Sequence, residues 1–238
     1  VRRLVGSEMC IRDSSLTILL NSMFSYVTNK RVFDIVTSLI SIIILFPLFL
    51  ITYILIKIDS PFDTAFYLGE RVSINNSRFK LFKFRSMIIN AEKVGGFSTA
   101  KNDFRLTKVG RFLRKFKLDE LPQLFNVLLG DMAMIGPRPQ VPFYVDKYNS
   151  KQKKIISVKP GITDIASLIF NDMDDLLGDH DPDLVYSENI EPKKNKLRVE
   201  YVEKMSLFLD LCIFFATVLY FFRVPLSCLL YTSDAADD

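Results

Sequence analysis

Two adjacent carboxylates, Asp119 and Glu120, open an apolar segment of the chain in a basic neighbourhood. The segment reads KLDELPQLFNVLLGDMAMIGPRP over residues 117–139 and closes with Arg138 between two prolines. A carboxylate among cations can act as a nucleophile on phosphorus, as a general base or as a metal ligand. Because neighbouring residues on a helix do not share a face, we expect the two acids to do different jobs.

The same pattern also fits a structural role. Asp119 is a suitable N-cap for a helix, and Pro122 would fall in its first turn, where a missing N–H does no harm. The positive pole of that helix would keep Asp119 ionised and favour a phosphate beside it. Plain capping and an anion site therefore both remain open from the residues alone. The apolar stripe of the expected helix consists of Leu118, Leu121, Leu124, Phe125 and Leu128.

Positive charge is concentrated between residues 78 and 138. Thirteen lysines and arginines there stand against five acids, a net +8, whereas the whole chain carries +4. Lys83 and Arg85 alternate with phenylalanines, so in a strand they would project from one face. Arginine binds phosphate through paired N–H donors, which favours a phosphorylated substrate as the anion. A lipid surface is an alternative, and nucleic acid is disfavoured because no recognisable binding motif is present.

The metal chemistry open to this chain is narrow. One histidine, His180, and one cysteine outside the terminal segments, Cys212, exclude the usual kinds of zinc cluster. His180 lies in an acidic stretch and is expected at the surface. Carboxylates combined with substrate phosphates suit Mg²⁺, which makes Asp119 and Glu120 the candidate metal ligands. A single cysteine leaves no intrachain disulfide, which fits a reducing compartment.

An apolar segment precedes the basic region. Residues 35–58 carry no charge until Lys57, and about 20 apolar residues can span a bilayer as a helix. Pro47 in the middle favours a break, and basic residues on both flanks favour the cytoplasmic side for both ends. Proline is nevertheless tolerated in spanning helices. The residues alone therefore leave a re-entrant helix broken at Pro47 and a spanning helix equally open.

Several further elements follow from local patterns. Residues 64–87 predict a β-hairpin around the turn-type residues 75–77, and residues 106–118 predict a helix. The other expectations are a helix over 142–158, a turn over 159–161 and a solvated polar region over 171–196. Residues 206–223 predict an apolar helix that lies at the membrane surface or against the first apolar segment, with a second membrane span as the alternative.

The two ends of the chain are set apart from the fold. Residues 4–14 and 228–238 resemble translated sequencing adapter. One DNA string, ATG-TGT-ATA-AGA-GAC-AG, encodes the residues from Met9 to Ser14, and its reverse complement encodes those from Cys228 to Ser233. Natural tails are the alternative.

With these residues and motifs the chain resembles the bacterial sugar transferases that start surface-glycan assembly, the polyprenyl-phosphate monophosphoglycosyl transferases. The resemblance covers roughly residues 30–223 and is most specific over 105–139. The matching segments are KRVFD (30–34), the apolar segment with Pro47, ERV (70–72), FKLFKFRSM (79–87), RLTKVGRFLRKFKLDELPQLFNVLLGDM (105–132), IGPRP (135–139), KPGIT (159–163) and SLFLDL (206–211).

The resemblance implies a reaction and roles for the residues. Members of the family move a sugar 1-phosphate from a UDP-sugar to undecaprenyl phosphate and release UMP, at the cytoplasmic face of the bacterial inner membrane. This is the first membrane step of exopolysaccharide, capsule or O-antigen synthesis. Asp119 is implied as the nucleophile that forms a phosphosugar–enzyme intermediate, and Glu120 in the second half-reaction and in Mg²⁺ binding. The implied phosphate ligands are Lys83, Arg85 and Arg138, with Arg114 placed among them.

We therefore predict an α+β, mostly α-helical, monotopic membrane protein with a β-hairpin and a cytoplasmic helical catalytic domain. The resemblance favours the re-entrant helix broken at Pro47, and it suggests a homodimer. The expected partners are a UDP-sugar, undecaprenyl phosphate and membrane lipid, without nucleic acid. The predicted segments are 1–14 and 228–238 (adapter-derived), 15–29 (N-terminal), 30–58 (re-entrant helix), 59–205 (catalytic domain) and 206–227 (interfacial helix).

The chain departs from the family pattern in one region expected to shape sugar choice. Residues 164–172 read DIASLIFND, whereas the better-known run in the family resembles GWAQVNGR. The transferred sugar is therefore left open. The alternative function is a non-catalytic, membrane-anchored binding or scaffold protein of the same pathway, and the intact Asp119, Glu120 and Arg138 argue against it.

Overall fold

The first helix, α1, dominates the N-terminal part of the chain. The computed structural model describes residues 2–94, 103–170 and 186–221, with side chains described from residue 25 onward apart from residues 92 and 93. Helix α1 runs over Arg2–Asp59, and its portion Ser25–Asp59 is long and apolar enough to cross a membrane. In the most apolar window of that portion only 11% of the residues are buried against the protein. An apolar surface left uncovered in this way suits lipid contact.

Pro47 lies inside α1, and the chain is α-helical on both sides of it. The predicted break at Pro47 is therefore wrong at the level of secondary structure. Proline removes one backbone hydrogen bond, and the many other bonds of a long apolar helix hold the chain helical around it. The path of α1 relative to a bilayer, re-entrant or spanning, stays a prediction.

The β-hairpin is confirmed. Strands β1 (Phe66–Val72) and β2 (Arg78–Phe84) pair in antiparallel register. The connection includes a short 3₁₀ turn, Ile74–Asn76, in which Asn75 and Asn76 take positive φ values of 54° and 62°. Asparagine enters this left-handed region more readily than most residues, which is why the turn forms here.

The segment around the two carboxylates differs from the predicted single helix. After α2 (Ala91–Val94), helix α3 spans Lys108–Lys115. A 3₁₀ turn, Leu118–Glu120, then precedes helix α4 (Gln123–Leu129), and Pro122 occupies the N-cap position of α4. The prediction of Asp119 as an N-cap is therefore wrong. Lys117, with a left-handed φ of 56°, turns the chain and places both acids in the tighter 3₁₀ turn.

Two short strands form a second, parallel pair that the sequence patterns did not indicate. Strand β3 (Ala133–Ile135) pairs with β4 (Gly161–Thr163). The backbones approach so closely that a Cβ atom on Gly161 would lie 2.1 Å from the backbone nitrogen of Gly136. Between them, the predicted helix over 142–158 is present only as α5 (Pro142–Val145) and a 3₁₀ segment, Gln152–Ser157.

The C-terminal part is helical. Helix α6 (Ile165–Ile169) follows β4, and a π-helical turn, Tyr186–Ile190, leads into α7 (Glu191–Lys204) and the apolar α8 (Leu207–Phe221). The last of these confirms the predicted apolar helix. The prediction of a solvated region is wrong for residues 186–196, which include the buried Glu191, Lys194 and Asn195. Residues 171–185, with His180, lie outside the described residues.

Helix α1 is fastened to the rest of the domain by its polar residues. The Arg31 guanidinium donates to the carbonyls of Val127 (2.6 Å) and Leu128 (2.8 Å), in the last turn of α4. The Asp34 carboxylate accepts from the backbone N–H of Met134 in β3 at 2.9 Å. Helix α4 follows Asp119 and Glu120 in the chain, and β3 precedes Arg138. These bonds therefore connect the candidate site to α1.

One hydrophobic core joins α1 with the hairpin, α3, α4, β3, α7 and α8, and the described fold is α+β and mostly helical, as predicted. Its buried members include Phe49, Ile56, Leu81, Phe84, Leu113, Leu124, Val127, Ile135, Tyr201 and Ile213.

Candidate active site

Glu120 lies between two cations that come from distant parts of the chain. Its Oε1 atom accepts a hydrogen bond from Lys83 Nζ at 2.9 Å and another from Arg138 Nη2. Lys83 belongs to β2, Glu120 to the 3₁₀ turn, and Arg138 to the loop after β3. The fold thus joins three of the residues that the sequence pointed to into one cluster of charges.

Asn126 brings the hairpin against the carboxylate turn. Its side-chain oxygen accepts from Phe82 N–H at 2.9 Å, and its amide group donates to the Lys80 carbonyl at 2.8 Å. These bonds dock α4 against the backbone of β2 next to Lys83. Sequence reasoning missed Asn126, although a polar residue inside the mostly apolar run LFNVLL was a usable signal, and the structure buries it fully.

Arg138 is held at both its backbone and its side chain. Its N–H donates to Asp164 Oδ2, and its Nη1 donates to the Ile162 carbonyl, both at 3.1 Å. The flanking prolines restrict the backbone further. The guanidinium therefore reaches Glu120 from a fixed loop, as the Gly-Pro-Arg-Pro pattern suggested.

Asp119, the other carboxylate of the pair, differs from Glu120 in its surroundings. It is only 4% exposed, yet no described residue makes a hydrogen bond or ion pair with its side chain. Burial raises its pKa above the ordinary aspartate value; the charge of Lys83 opposes that rise, and the charge of Glu120 adds to it. A buried carboxylate that the protein leaves unpaired is costly, and such groups are concentrated at sites of chemistry.

Glu120 has the opposite character. Burial works to raise its pKa, but the charges and hydrogen bonds of Arg138 and Lys83 outweigh burial and hold the pKa well below its ordinary value. Burial lowers the pKa of Lys83, only partly offset by Glu120 and Asp119. The two adjacent acids therefore have pKa values displaced in opposite directions, which supports the expectation of two different jobs.

The two remaining predicted cations are placed differently. Arg114 donates through Nε to Ser86 Oγ at 3.0 Å, and its charge still acts to lower the pKa of Asp119. Arg85 is bound by Thr64 Oγ1 and by Asp63, with 3.1 Å between Nη1 and Oδ2. Its described contacts thus lie with the segment before β1, and a phosphate-binding role for Arg85 stays a prediction.

The carboxylate turn is compatible with a magnesium ion that a substrate helps to hold. Within residues 25–94, 103–170 and 186–221 no group of three or more His, Cys, Asp or Glu side chains forms a self-contained metal site. Asp119 and the second oxygen of Glu120, Oε2, make no described hydrogen bond. One or two carboxylates completed by phosphate oxygens and water are the ligands Mg²⁺ commonly takes.

Comparison with known proteins finds several relatives that are named as sugar-phosphate transferases. A UDP-N-acetylgalactosamine-undecaprenyl-phosphate N-acetylgalactosaminephosphotransferase of Aeromonas hydrophila is 35% identical over 198 residues, which are 81% of this chain and 43% of that protein. A putative undecaprenyl-phosphate N-acetylgalactosaminyl 1-phosphate transferase of Bacillus subtilis is 42% identical over 147 residues, 62% of this chain and 82% of that protein. A UDP-glucose:undecaprenyl-phosphate glucose-1-phosphate transferase of Klebsiella pneumoniae is 37% identical over 194 residues, 79% of this chain and 39% of that protein.

The chain thus spans less than half the length of the Aeromonas and Klebsiella relatives, and about four-fifths of the Bacillus one. A family described as "Bacterial sugar transferase" matches residues 25–224, which include every element from the apolar portion of α1 to α8. The chain therefore belongs to the bacterial sugar transferase family.

Proposed function

We propose that this protein moves a sugar 1-phosphate from a UDP-sugar to undecaprenyl phosphate, and that Asp119 carries the phosphosugar between the two substrates. The observation that carries the proposal is the contrast between the adjacent acids: Asp119 is buried and has no partner among the described residues, while Glu120 binds Lys83 and Arg138. A nucleophile must be free to form a bond, and the groups that bind phosphate must be cationic and fixed.

In the first step an Asp119 oxygen attacks the phosphorus that bears the sugar. The bond from that phosphorus to the bridging oxygen breaks, and UMP leaves with the electron pair. The product is an acyl phosphate that carries the sugar on Asp119. Lys83 and Arg138 would stabilise the charge that builds up on the phosphate oxygens, and Arg114 adds positive charge near Asp119.

In the second step an oxygen of undecaprenyl phosphate attacks the same phosphorus, and the Asp119 carboxylate is released. Glu120 suits an orienting role here better than a basic one. Its pKa is held well below the ordinary value, so it stays ionised and binds protons weakly. We therefore assign Glu120 to the fixing of Lys83 and Arg138 around the two incoming phosphates.

Mg²⁺ is the metal that fits this chemistry. Asp119 and Glu120 Oε2 would hold it together with the diphosphate of the donor, and when bound it would neutralise charge on that diphosphate. A metal ion on Oε2 would leave the bonds of Lys83 and Arg138 to Glu120 in place, since both use Oε1.

The apolar helices support a placement of the protein at a membrane. The uncovered surface of α1 and the exposed Phe208, Phe215 and Phe221 of α8 suit contact with lipid. A polyprenyl phosphate keeps its chain in the bilayer and its phosphate at the interface, within reach of a site fastened to α1. We place the protein at the bacterial inner membrane with the catalytic domain in the cytoplasm, at the first membrane step of surface-glycan synthesis.

The relatives support the class of reaction and leave the sugar open. Their names specify N-acetylgalactosamine in one protein, glucose in another and, in a Salmonella typhimurium relative 41% identical over 149 residues, galactose. Proteins at similar identity to this chain thus differ in the sugar of their names. The sugar of this chain therefore has to be measured.

The test is a mass measurement on the full chain purified in detergent. Incubation with Mg²⁺ and a panel of UDP-sugars should add the mass of one phosphosugar to the wild-type protein, on a peptide that contains Asp119, with release of UMP. Asp119→Asn should gain no mass, whereas the exposed control Asp146→Asn should behave as wild type. An adduct on Asp119→Asn would contradict the nucleophile, and wild-type protein that stays unmodified with every UDP-sugar would contradict the proposed function.

A further inference from the structure

A buried ion pair lies behind the site and takes no part in the reaction proposed above. Asp164 Oδ2 accepts from Arg198 Nε at 3.1 Å, and both side chains are almost fully enclosed, with 2% and 1% of their surface exposed. Asp164 precedes α6, and Arg198 belongs to α7, 34 residues further along the chain. Removing two charges from water is unfavourable, so such a pair is weak support for stability by itself.

Every described contact of the Asp164 carboxylate is internal. Its Oδ1 accepts from Ser167 N–H at 2.6 Å, which caps α6. Its Oδ2 accepts from the backbone N–H of Arg138 as well as from Arg198. Arg198 is fixed in turn by its bond to Asn195 Oδ1 at 3.1 Å. Asp164 is therefore placed to hold protein groups in position, since its side chain has almost no surface left for a ligand.

The group that it holds is the arginine of the site. Asp164 binds the backbone of Arg138, and the carbonyl of Ile162, two residues earlier, binds the Arg138 side chain. The short segment from Ile162 to Asp164 thus grips Arg138 at two points. A different guanidinium nitrogen, Nη2, donates to Glu120. Movement of Asp164 would therefore displace Arg138 relative to Glu120.

We propose that Asp164 is a positioning residue for Arg138, with Arg198 as the counter-ion that fixes Asp164. The inference rests on the proposed function in one respect, that Arg138 binds substrate phosphate. Residues 164–172 depart from the family pattern, and in this proposal residue 164 orients the phosphate-binding arginine without touching the sugar. Helix α7, which carries Arg198, becomes part of the support of the site.

A double-mutant cycle on kcat/KM separates positioning from general support of the fold. Asp164→Ala should lower kcat/KM by about 10- to 100-fold, because small displacements of a binding group have effects of that size. In an Arg138→Ala background the same change should cost less than about twofold, since the group that Asp164 positions is already gone. Losses that multiply in the two backgrounds would overturn the proposal.

A second variant deals with the risk that Asp164→Ala leaves Arg198 buried without a counter-ion. Asp164→Ala combined with Arg198→Met removes both charges, a change that proteins often tolerate without loss of stability. We expect this variant to fold and to keep the full loss of kcat/KM seen with Asp164→Ala. Wild-type kcat/KM in this folded variant would overturn the proposal. Asp103→Ala is the matched control, because it removes the carboxylate of another enclosed ion pair, the one with Arg105. Any loss of kcat/KM in Asp103→Ala should be the same factor in the wild-type and in the Arg138→Ala background.

Hydrogen exchange gives a readout that does not depend on the reaction. The Arg138 amide should exchange at least about tenfold faster in the Asp164→Ala, Arg198→Met variant than in wild type, because its acceptor is gone. The Asp103→Ala control should leave that amide protected. Unchanged protection would overturn the positioning role even if the wild-type protein proved inactive on every UDP-sugar, so failure of the inference and failure of the proposed function are distinguishable.

Discussion

Two clusters of buried charge in this protein use similar residues in different ways. The first joins α1 to α8, where Asp210 is fully buried and Lys30 is 16% exposed. Asp210 Oδ2 accepts from Lys30 Nζ at 2.6 Å and Tyr26 O–H at 2.9 Å, and Oδ1 accepts from Tyr201 O–H at 2.6 Å. One carboxylate meets one cation, and both oxygens are occupied, so this cluster is complete without a ligand.

The second cluster is the candidate site, and its contacts are unevenly distributed. Lys83 and Arg138 both bind one oxygen of Glu120, while Asp119 has no direct partner among the described residues. The difference teaches that burial of charge does not by itself identify a site. The feature that distinguishes the candidate site is a carboxylate without a described partner beside fixed cations, and such perturbed groups are concentrated at functional sites.

The largest effect should come from the unpaired carboxylate. Asp119→Asn should reduce formation of the phosphosugar adduct by about ten-thousandfold or more, the size of loss seen when a nucleophile is removed. The thermal midpoint of unfolding should stay the same or rise, because the change removes a buried charge that has no partner. Calorimetry in detergent measures the midpoint, and a clear fall would contradict the contrast between the two clusters.

The complete cluster should show the reverse pattern. Asp210→Ala leaves Lys30 without its counter-ion and should lower the free energy of unfolding by about 3–5 kcal/mol. Protein that remains folded should still form the adduct. Chemical unfolding in detergent gives the free energy, with Asp146→Ala at an exposed position as control. A loss of adduct in folded Asp210→Ala would mean that the two clusters are not separate in function.

A smaller loss is expected when the charge of Arg138 is kept and its shape is changed. Arg138→Lys retains a cation but cannot bind Glu120 and the Ile162 carbonyl through separate nitrogens. The rate of adduct formation should fall by about 100- to 1,000-fold, as when one oriented donor is removed from an active site. Single-turnover measurements give this rate. Wild-type rates in Arg138→Lys would show that positive charge alone is sufficient.

The smallest effect is a shift in pH dependence. Burial raises the pKa of Asp119, so adduct formation should be lost, as pH falls, at a pH above the ordinary aspartate value of about 3.9. Glu120→Gln removes the negative charge that adds to this rise and should move the acid limb to lower pH. Burial also lowers the pKa of Lys83, so the basic limb should lie below the usual lysine value. A pH–rate profile measures both limbs, and an acid limb that moved upward in Glu120→Gln would contradict this assignment.

The elements that the sequence predicted correctly are those with a local signal. The hairpin has alternating aromatic residues and an asparagine turn, α3 has helical spacing, and α8 is a single apolar run. Strands β3 and β4 have three residues each, too few for any periodicity to be read. The polar composition of residues 186–196 suggests a solvated segment, yet several of its polar side chains are buried, because they meet partners elsewhere in the chain. Such pairing is invisible to a local window.

The candidate site divides in the same way. The two acids, Lys83 and Arg138 could be singled out by residue type and spacing, since carboxylates and arginines carry the chemistry that phosphate transfer needs. The opposite displacement of the two carboxyl pKa values could not be predicted, because it depends on burial and on which of the two carboxylates Lys83 and Arg138 bind. Asp164 and Arg198 were missed for the same reason, since 34 residues separate the partners.

The sequence by itself determined the family, the acidic pair, the candidate phosphate-binding cations and the apolar helices, because these depend on the identity of residues and on short-range pattern. Only the tertiary structure decided that α1 stays helical through Pro47, that Asp119 lies in a 3₁₀ turn instead of capping a helix, and that Glu120 takes both cations. Those outcomes depend on contacts between distant segments. Burial and the strength of a charge's interactions are set by what surrounds a group in space.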